Sequence, residues 1–299
     1  MEIKEFKISV PWGHIAVKAW GDEENKAILM IHGLNDNAGS FDMIIPHLSK
    51  NHYYVCIDLP GHGKSSQFPK NAPVQEVNVL MALKIVVEYL KKKKIAIIAH
   101  SWGAQFSTLF TQLYPEHIEK LILIEGVCLS PVSIEYFKQF TTEYIDKAIH
   151  VLNKLEQGNI PTFTYEKALN LLINGRPYGK LNKDAAEAIL KRHLQKVDDD
   201  QYLITSDLRN RVRHALFISK DYVIRLFKKH NINCPVLFIF AKNALPQKDY
   251  YIDMLKIIKQ SNNNCTIMEL EGDHDIHMNA PELIASVINE YLNRFSSKL

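Results

Sequence analysis

The sequence has few of the features that mark secreted or membrane-spanning proteins. It contains 4 cysteines in 299 residues, and they do not form the close pairs of a metal knuckle or a redox motif. We expect them to be reduced and mostly buried, which is usual in an intracellular compartment. No apolar run reaches the length that spans a membrane, and the charged N-terminus does not match a secretory signal.

An excess of charge of one sign is also lacking. The formal net charge is +3 at pH 7, which is too small and too dispersed to favour a nucleic-acid partner. Internal repeats and low-complexity tracts are absent too. The remaining composition, with 46% hydrophobic and 23% charged residues, is ordinary for a globular protein.

Short apolar runs alternate with helical patterns along most of the chain. Because these runs are continuous rather than alternating, they predict strands buried on both faces of a parallel sheet. They occupy residues 27–31, 53–57, 95–98, 121–124, 236–240 and 266–270. Residues 6–10 and 14–18 predict an antiparallel hairpin at the sheet edge. A helix between the second and third runs is expected to bury Val77, Leu80, Leu83, Val87 and Leu90. The pattern therefore indicates an α/β fold.

The alternation stops for about a hundred residues and then resumes, which indicates an insertion. The intervening segment is amphipathic and helical in pattern. We expect a first part of the core at residues 1–127, a helical cap at 128–232, and a second part of the core at 233–299. The alternative is a separate helical domain with a core of its own.

The strongest local signal for chemistry is Ser101 in the segment Ala99-His100-Ser101-Trp102-Gly103. A buried strand precedes it and a helical pattern follows at once, which is the arrangement of a nucleophile elbow. Small residues are needed two positions before and after the serine, and Ala99 and Gly103 supply them. The alternative is an ordinary strand–turn–helix link in which Ser101 caps the helix.

Two backbone N–H groups are candidates for stabilising an oxyanion. Acyl transfer places negative charge on the carbonyl oxygen, and preorganised donors stabilise it by a few kcal/mol. One candidate is Trp102, the residue after the serine. The other is Leu34, which follows His32 and Gly33 at the end of an earlier strand. We interpret His32 as a residue that fixes the loop.

A histidine-containing loop follows the last predicted strand and precedes a helix that begins at Pro281. This position is at the same sheet edge as Ser101, so we expect His274 to act as the general base. His277 is the alternative base. A metal site built from these histidines with Asp273 and Asp275 is a weaker alternative, because no third ligand cluster appears elsewhere.

These motifs resemble the α/β-hydrolase superfamily, and more narrowly its serine hydrolase-like (kraken-like) group. The resemblance rests on residues 10–16, 32–38, 58–66, 206–209 and 272–274, with Met278, Pro281 and Glu282. It covers nearly the whole chain, with the cap weakest. It implies an α/β-hydrolase fold, with a mostly parallel eight-stranded sheet, helices on both faces and an inserted helical cap. It also implies a serine hydrolase without a defined substrate.

The third member of the catalytic triad departs from the family pattern. The usual position for the acid is just after the strand at 236–240, where residues 241–246 contain none. In dehalogenase-like members of the fold, the acid follows the strand that corresponds to residues 121–124 of this chain. Here the residue after that strand is Glu125. Asp249 lies later in the usual loop. We favour Glu125, because a strand end fixes a side chain more firmly than a late loop position.

The sequence therefore predicts a serine hydrolase that cleaves a carboxylic ester or related acyl compound through an acyl-enzyme on Ser101. We expect a small-molecule acyl substrate and no metal or organic cofactor. Aromatic residues of the early cap are expected to form an apolar acyl pocket: Tyr136, Phe137, Phe140 and Tyr144. The alternatives are a thioesterase or C–C hydrolase on the same triad, and a non-catalytic binding protein that kept the fold.

The last three residues are Ser297, Lys298 and Leu299. This C-terminal tripeptide is recognised by the peroxisomal import receptor. We therefore expect that receptor as a partner and a peroxisomal location, with a cytoplasmic location as the alternative.

Overall fold

The protein's structure is a computed structural model that describes residues 1–69, 74–158, 160–212, 218–244 and 247–294. The main sheet contains eight strands: β1 Ile3–Val10, β2 Gly13–Trp20, β3 Lys26–Ile31, β4 His52–Ile57, β5 Ile95–His100, β6 Ile118–Ile124, β10 Val236–Ala241 and β11 Cys265–Leu270. Their order across the sheet is β1-β2-β4-β3-β5-β6-β10-β11. Among the described strands of this sheet, β1–β2 and β2–β4 pair antiparallel and the others pair parallel. The predicted hairpin and all six predicted strands are confirmed, but β11 lies at the sheet edge, where Ile267 is 39% exposed, so its expected burial on both faces is wrong.

Alternate residues of the central strands face two separate hydrophobic cores, as the two-residue period of a strand requires. On one side Leu29 and Ile31 pack against the helices that follow β4 and β5. On the other side Ile28 and Met30 pack against the C-terminal helix. Helices therefore cover both faces of the sheet. The helices of the core are α1 Glu76–Tyr89, α2 Ser101–Leu113, α7 Gln247–Ser261, α8 Ile276–Asn279 and α9 Pro281–Arg294.

Helix α1 lies where the sequence predicts a helix, but its buried face is rotated. Val79, Ala82, Leu83, Val86 and Val87 are buried. The predicted buried face is therefore wrong in part, because Val77 is 49% exposed. The segment is apolar around much of its circumference, and its packing against the sheet selects a face that periodicity alone does not distinguish.

The insertion between β6 and β10 contains both helices and strands. Its elements are α3 Phe137–Glu156, β7 Thr162–Phe163, α4 Tyr165–Asn174, α5 Lys183–His193, β8 Leu194–Asp198, β9 Gln201–Ile204 and α6 Lys220–Lys229. The three strands form an antiparallel sheet in the order β7-β9-β8, which the expected all-helical cap did not include. With two to five residues each, they are too short for periodicity to reveal.

Two cap arginines make ion pairs with the core in addition to apolar contacts. Arg192 of α5 donates to Asp58 (Nη2–Oδ2 2.8 Å) and to Glu5 (Nη1–Oε1 2.7 Å). Arg176, in the loop between α4 and α5, bonds two further core carboxylates near the sheet edge. Within the described parts of the chain, no helix has the length and apolar character needed to cross a membrane.

Candidate active site

Ser101 lies at a sharp turn between β5 and α2. Its φ of +49° is in the left-handed region, which non-glycine residues rarely adopt. The helix packs closely against the end of β3: a Cβ on Gly103 would lie 2.5 Å from the carbonyl oxygen of His32. Glycine is therefore required at that position, and the turn holds the serine hydroxyl at the carboxyl edge of the sheet, as expected of a nucleophile elbow.

The imidazole of His274 lies between Ser101 and Glu125. Its Nε2 is 2.9 Å from the Oγ of Ser101, and its Nδ1 is 3.3 Å from Oε2 of Glu125. The serine side of this arrangement comes from the turn after β5, and the imidazole comes from the loop after β11. The structure therefore brings together all three predicted triad residues, which are separated by up to 173 positions in the sequence.

Glu125 is fixed by its backbone and by both carboxylate oxygens. It directly follows β6, has a φ of +56°, and is 4% exposed. Its Oε1 accepts a hydrogen bond from the backbone N–H of Ala241, at the end of the neighbouring β10. Asp249, the alternative acid, falls within α7, but its side chain lies outside the described residues.

The two predicted oxyanion donors come from the loop after β3 and from the first turn of α2. Leu34 and Ser101 line the same cavity. Trp102 is the second residue of α2, and the first N–H groups of a helix have no intrahelical acceptor. The indole ring of Trp102 packs away from this cavity, against Phe106 at 4.8 Å between ring centroids.

His32 fixes the loop that carries Leu34, as the sequence analysis proposed. Its Nδ1 donates to the carbonyl oxygen of Gly33 at 2.7 Å, and its Nε2 accepts from the N–H of Leu59 at 2.9 Å. The neutral imidazole therefore uses one nitrogen as a hydrogen-bond donor and the other as an acceptor. Burial lowers the pKa of His32 below its ordinary value, which preserves that neutral form.

His277, the alternative base, lies behind the site instead of facing Ser101. Its ring centroid is 4.1 Å from that of His100, whose own Nε2 is 2.9 Å from the carbonyl oxygen of His274. Burial, and then the neighbouring His274, lower the pKa of His100 to about 4. Burial also holds the pKa of His277 well below its ordinary value. Both rings are therefore neutral. His100 packs against the ring of His274 at 4.8 Å between centroids, and His277 packs against His100.

Arg176 also belongs to this region, although its sequence neighbourhood does not predict a role there. Its Nε and Nη2 donate to Asp275 at 2.6 and 2.7 Å, and its Nη1 and Nη2 donate to Asp36 at 2.7 and 3.1 Å. Burial alone would raise the pKa of each carboxyl group, but the charge and hydrogen bonds of Arg176 outweigh it. The pKa values of Asp36 and Asp275 consequently lie below the ordinary value.

A group of potential metal ligands adjoins the site. Atoms of Asp36, His100 and Asp275 lie within 4.8 Å of one another. Arg176 already provides the positive charge there and donates to both carboxylates, so these residues fit a guanidinium better than a metal ion. His274, which belonged to the weaker metal hypothesis, directs one nitrogen at Ser101 and the other at Glu125.

A cavity of about 540 Å³ opens above Ser101. Its floor consists of core residues, including the serine, His274 and Leu34. Its cap side is largely apolar and contains Phe163, Ala168, Leu171, Leu172, Pro177, Tyr178, Leu190 and Ile204, together with Gly175 and the polar residues Arg176 and His193. The volume and lining are typical of a small-molecule site.

The early cap aromatics do not form this cavity, so that expectation is wrong. Tyr136, Phe137 and Phe140 are 66%, 44% and 42% exposed, and neither they nor Tyr144 line the site. Most of them belong to α3, in which no residue is fully buried. The apolar lining comes instead from α4, α5 and the short cap strands.

Three comparisons with known proteins agree with this architecture. A family model described as "alpha/beta hydrolase fold" matches residues 26–281. A serine hydrolase-like protein of Danio rerio is 31% identical over 96% of this chain and 88% of its own length. The human serine hydrolase-like protein 2 is 30% identical over 97% of this chain and 94% of its own length.

The solved structures show the same fold. The crystal structure of a hypothetical protein from Pseudomonas aeruginosa PAO1 matches with a TM-score of 0.80 and 24% sequence identity. The match covers 98% of this chain and 99% of that one.

Proposed function

The chain belongs to the α/β-hydrolase family and, within it, to the serine hydrolase-like group, and on that basis we propose that it hydrolyses carboxylic esters through an acyl-enzyme on Ser101. The observation that carries this proposal is the distance of 2.9 Å between Nε2 of His274 and Oγ of Ser101. It is a hydrogen-bonding distance, and it lets the imidazole take the hydroxyl proton as the serine attacks.

In the first half-reaction, Oγ of Ser101 attacks the ester carbonyl carbon while Nε2 of His274 takes the hydroxyl proton. Negative charge develops on the carbonyl oxygen, where the N–H groups of Leu34 and Trp102 are the proposed donors. The tetrahedral intermediate then breaks its bond to the alcohol oxygen. His274 gives its proton to that oxygen, the alcohol leaves, and the acyl group remains on Ser101.

The second half-reaction repeats these transfers with water. His274 takes a proton from water as the water oxygen attacks the acyl carbon, and the collapse of the intermediate breaks the bond to Ser101. The proton returns to Oγ and the carboxylic acid leaves. Throughout, Glu125 keeps Nδ1 of His274 protonated and offsets the positive charge that develops on the ring. These transfers use only side chains, backbone N–H groups and water.

The cavity supports an apolar group on the substrate. Its cap side presents aliphatic and aromatic side chains to the space above Ser101. A medium-length acyl chain would bury its methylene groups there, at about 0.8 kcal/mol for each CH₂. We therefore propose esters whose acyl part is apolar, and expect kcat/KM to rise with chain length until the cavity is full.

An activity-based probe tests the proposal most directly. A fluorophosphonate should label the unaltered protein, and labelling should disappear in Ser101→Ala and fall strongly in His274→Ala. A panel of esters from acetyl to palmitoyl, with matching acyl-coenzyme A thioesters, then identifies the substrate class.

The alternatives predict different results in the same experiment. Labelling that requires Ser101, without turnover of any ester or thioester in the panel, would favour a C–C hydrolase. Failure to label the folded, unaltered protein would indicate a binding protein that kept the fold. Labelling with turnover of thioesters but not esters would indicate a thioesterase. Labelling that persists in Ser101→Ala would place the nucleophile elsewhere and refute the proposal.

A further inference from the structure

We propose that Arg176 is a positioning residue, through which the cap aligns the oxyanion donor Leu34 with the base His274. This inference rests on the proposed function, because it assigns a role within that active site. The feature is the Arg176 clamp, which consists of Arg176, Asp36 and Asp275. It joins the cap to two core loops that are remote from each other in sequence.

The clamp uses the planar geometry of the guanidinium group on two sides. The edge with Nε and Nη2 meets Asp275 at 2.6 and 2.7 Å, while Nη1 and Nη2 meet Asp36 at 2.7 and 3.1 Å. Four of the five N–H donors are thus engaged. Lysine has a single ammonium group and cannot reproduce two such forked contacts.

Both carboxylates of the clamp depend on this one cation. The side chains of Asp36 and Asp275 are each 1% exposed, and that of Arg176 is 14% exposed. Two buried carboxylates close to each other repel and lack water as a partner. The positions of the two loops are therefore tied to the position of the cap arginine between them.

On the side of Asp36, the clamp fixes the turn that presents Leu34. The N–H of Asp36 donates to the carbonyl oxygen of Gly33 at 3.2 Å, which closes a four-residue turn. Asn35, at the third position, has a φ of +63°. Leu34 occupies the second position, whose N–H takes no part in the turn hydrogen bond and remains available to an oxyanion.

On the side of Asp275, the clamp fixes the residue next to the base. The carbonyl oxygen of Asp275 accepts from Met278 and Asn279 at 2.8 and 3.0 Å, so its backbone is also bound to the following helix α8. Two residues after the arginine, Tyr178 places its ring 4.8 Å from the ring of His274, centroid to centroid. The cap loop therefore contacts the imidazole of His274 through Tyr178. It also holds the next residue, Asp275, through the charge of Arg176.

The test compares Arg176→Lys with the matched variant Arg192→Lys. Arg192 also lies on the cap and also pairs with a buried core carboxylate, Asp58, but it bonds neither clamp aspartate. We expect Arg176→Lys to lower kcat and the rate of fluorophosphonate labelling about 10- to 100-fold while KM stays within about threefold, since an ångström-scale displacement of reacting groups has effects of this size. Arg192→Lys should keep kcat within about threefold of the unaltered protein when rates are corrected for the folded fraction.

A second measurement follows the loops themselves. Hydrogen exchange monitored by mass spectrometry should show faster deuterium uptake in residues 33–36 and 272–279 of Arg176→Lys, and no such change in Arg192→Lys. Unaltered exchange in both segments, or an equal fall in kcat in the two variants, would overturn the positioning role. If the unaltered protein neither labels nor hydrolyses any ester, the proposed function fails, and exchange alone then decides whether Arg176 aligns the loops.

Discussion

At the scale of single residues, Glu125 is the unusual member of the site. It follows β6 directly, and its carboxylate reaches both Nδ1 of His274 and the backbone N–H of Ala241. The proposed nucleophile and the proposed acid therefore come from the ends of the adjacent strands β5 and β6. The turn that begins at Ala241 contributes a hydrogen-bond donor in place of an acid.

Replacing Glu125 with glutamine should lower kcat by about 10³- to 10⁴-fold, because an amide N–H facing Nδ1 forces the imidazole into the wrong tautomer. The change keeps the shape of the side chain, so the folded fraction should be little affected. Turnover of the best ester in the panel measures the effect.

The matched control is Asp249→Asn, which should keep kcat near that of the unaltered protein. A large loss in Asp249→Asn together with normal turnover in Glu125→Gln would assign the acid to the later loop.

The identities of Ser101 and His274 follow from local sequence, because an elbow needs a strand, a serine and small neighbours within a few residues. Arg176 could not be found in this way. Its partners, Asp36 and Asp275, are 140 and 99 positions away. No spacing rule links a cap loop to them, and a lone arginine in a polar loop is ordinary.

At the scale of elements, strands β3 to β6 and β10 were predictable because burial on both faces makes their sequences continuously apolar. The structure of the cap was less predictable from the sequence. Helix α3 has an apolar stripe, yet no residue of it is fully buried, while α4, with a shorter stripe, lines the cavity. Periodicity identifies a helix with an apolar face, but it does not say which part of the molecule that face will meet.

Two leucine-to-tryptophan substitutions would test which cap helix shapes the substrate site. Leu171 on α4 lines the cavity and is 43% exposed, whereas Leu152 on α3 is 48% exposed and does not line it. Leu171→Trp should fill part of the cavity and lower kcat/KM for octanoyl esters about tenfold relative to acetyl esters. Leu152→Trp should leave the ratio of these two kcat/KM values unchanged. An equal change in both variants would show that α4 does not set the chain-length limit.

At the scale of the whole molecule, buried histidines should make the fold sensitive to mild acid. Burial lowers the pKa of His62 to about 3 and that of His100 to about 4, and those of His32 and His277 lie below their ordinary value as well. The unfolded chain takes up protons at these histidines near pH 6.5, whereas the folded chain does not. The free energy of unfolding should therefore fall as pH decreases from about 6.5 towards 4, by up to about 1.4 kcal/mol per pH unit for each histidine.

Urea unfolding at pH 7.5, 6.5 and 5.5 measures this dependence. His100→Gln is the informative variant, because its side-chain amide can still donate to the carbonyl oxygen of His274 but takes up no proton. This variant should reduce the dependence of the free energy of unfolding on pH by about the contribution of one histidine. Equal stability of the unaltered protein at pH 7.5 and 5.5 would contradict the explanation.

The proposed peroxisomal targeting signal consists of Ser297, Lys298 and Leu299, which lie outside the described residues. If these three form the free C-terminus in the cell, appending them to a fluorescent reporter should direct it to peroxisomes. The matched control replaces Lys298 by glutamate in the same fusion. Diffuse fluorescence from both fusions would count against import.

The ion pairs between cap and core have a consequence for how the chain melts. Asp36, Asp58 and Asp275 belong to the core, yet their cationic partners Arg176 and Arg192 come from the insertion. Removing the two arginine side chains from the folded protein would leave three buried acidic groups without their counter-charge, and a loss of this kind destabilises a fold by several kcal/mol. We therefore expect the sheet and the insertion to unfold together, in a single thermal transition.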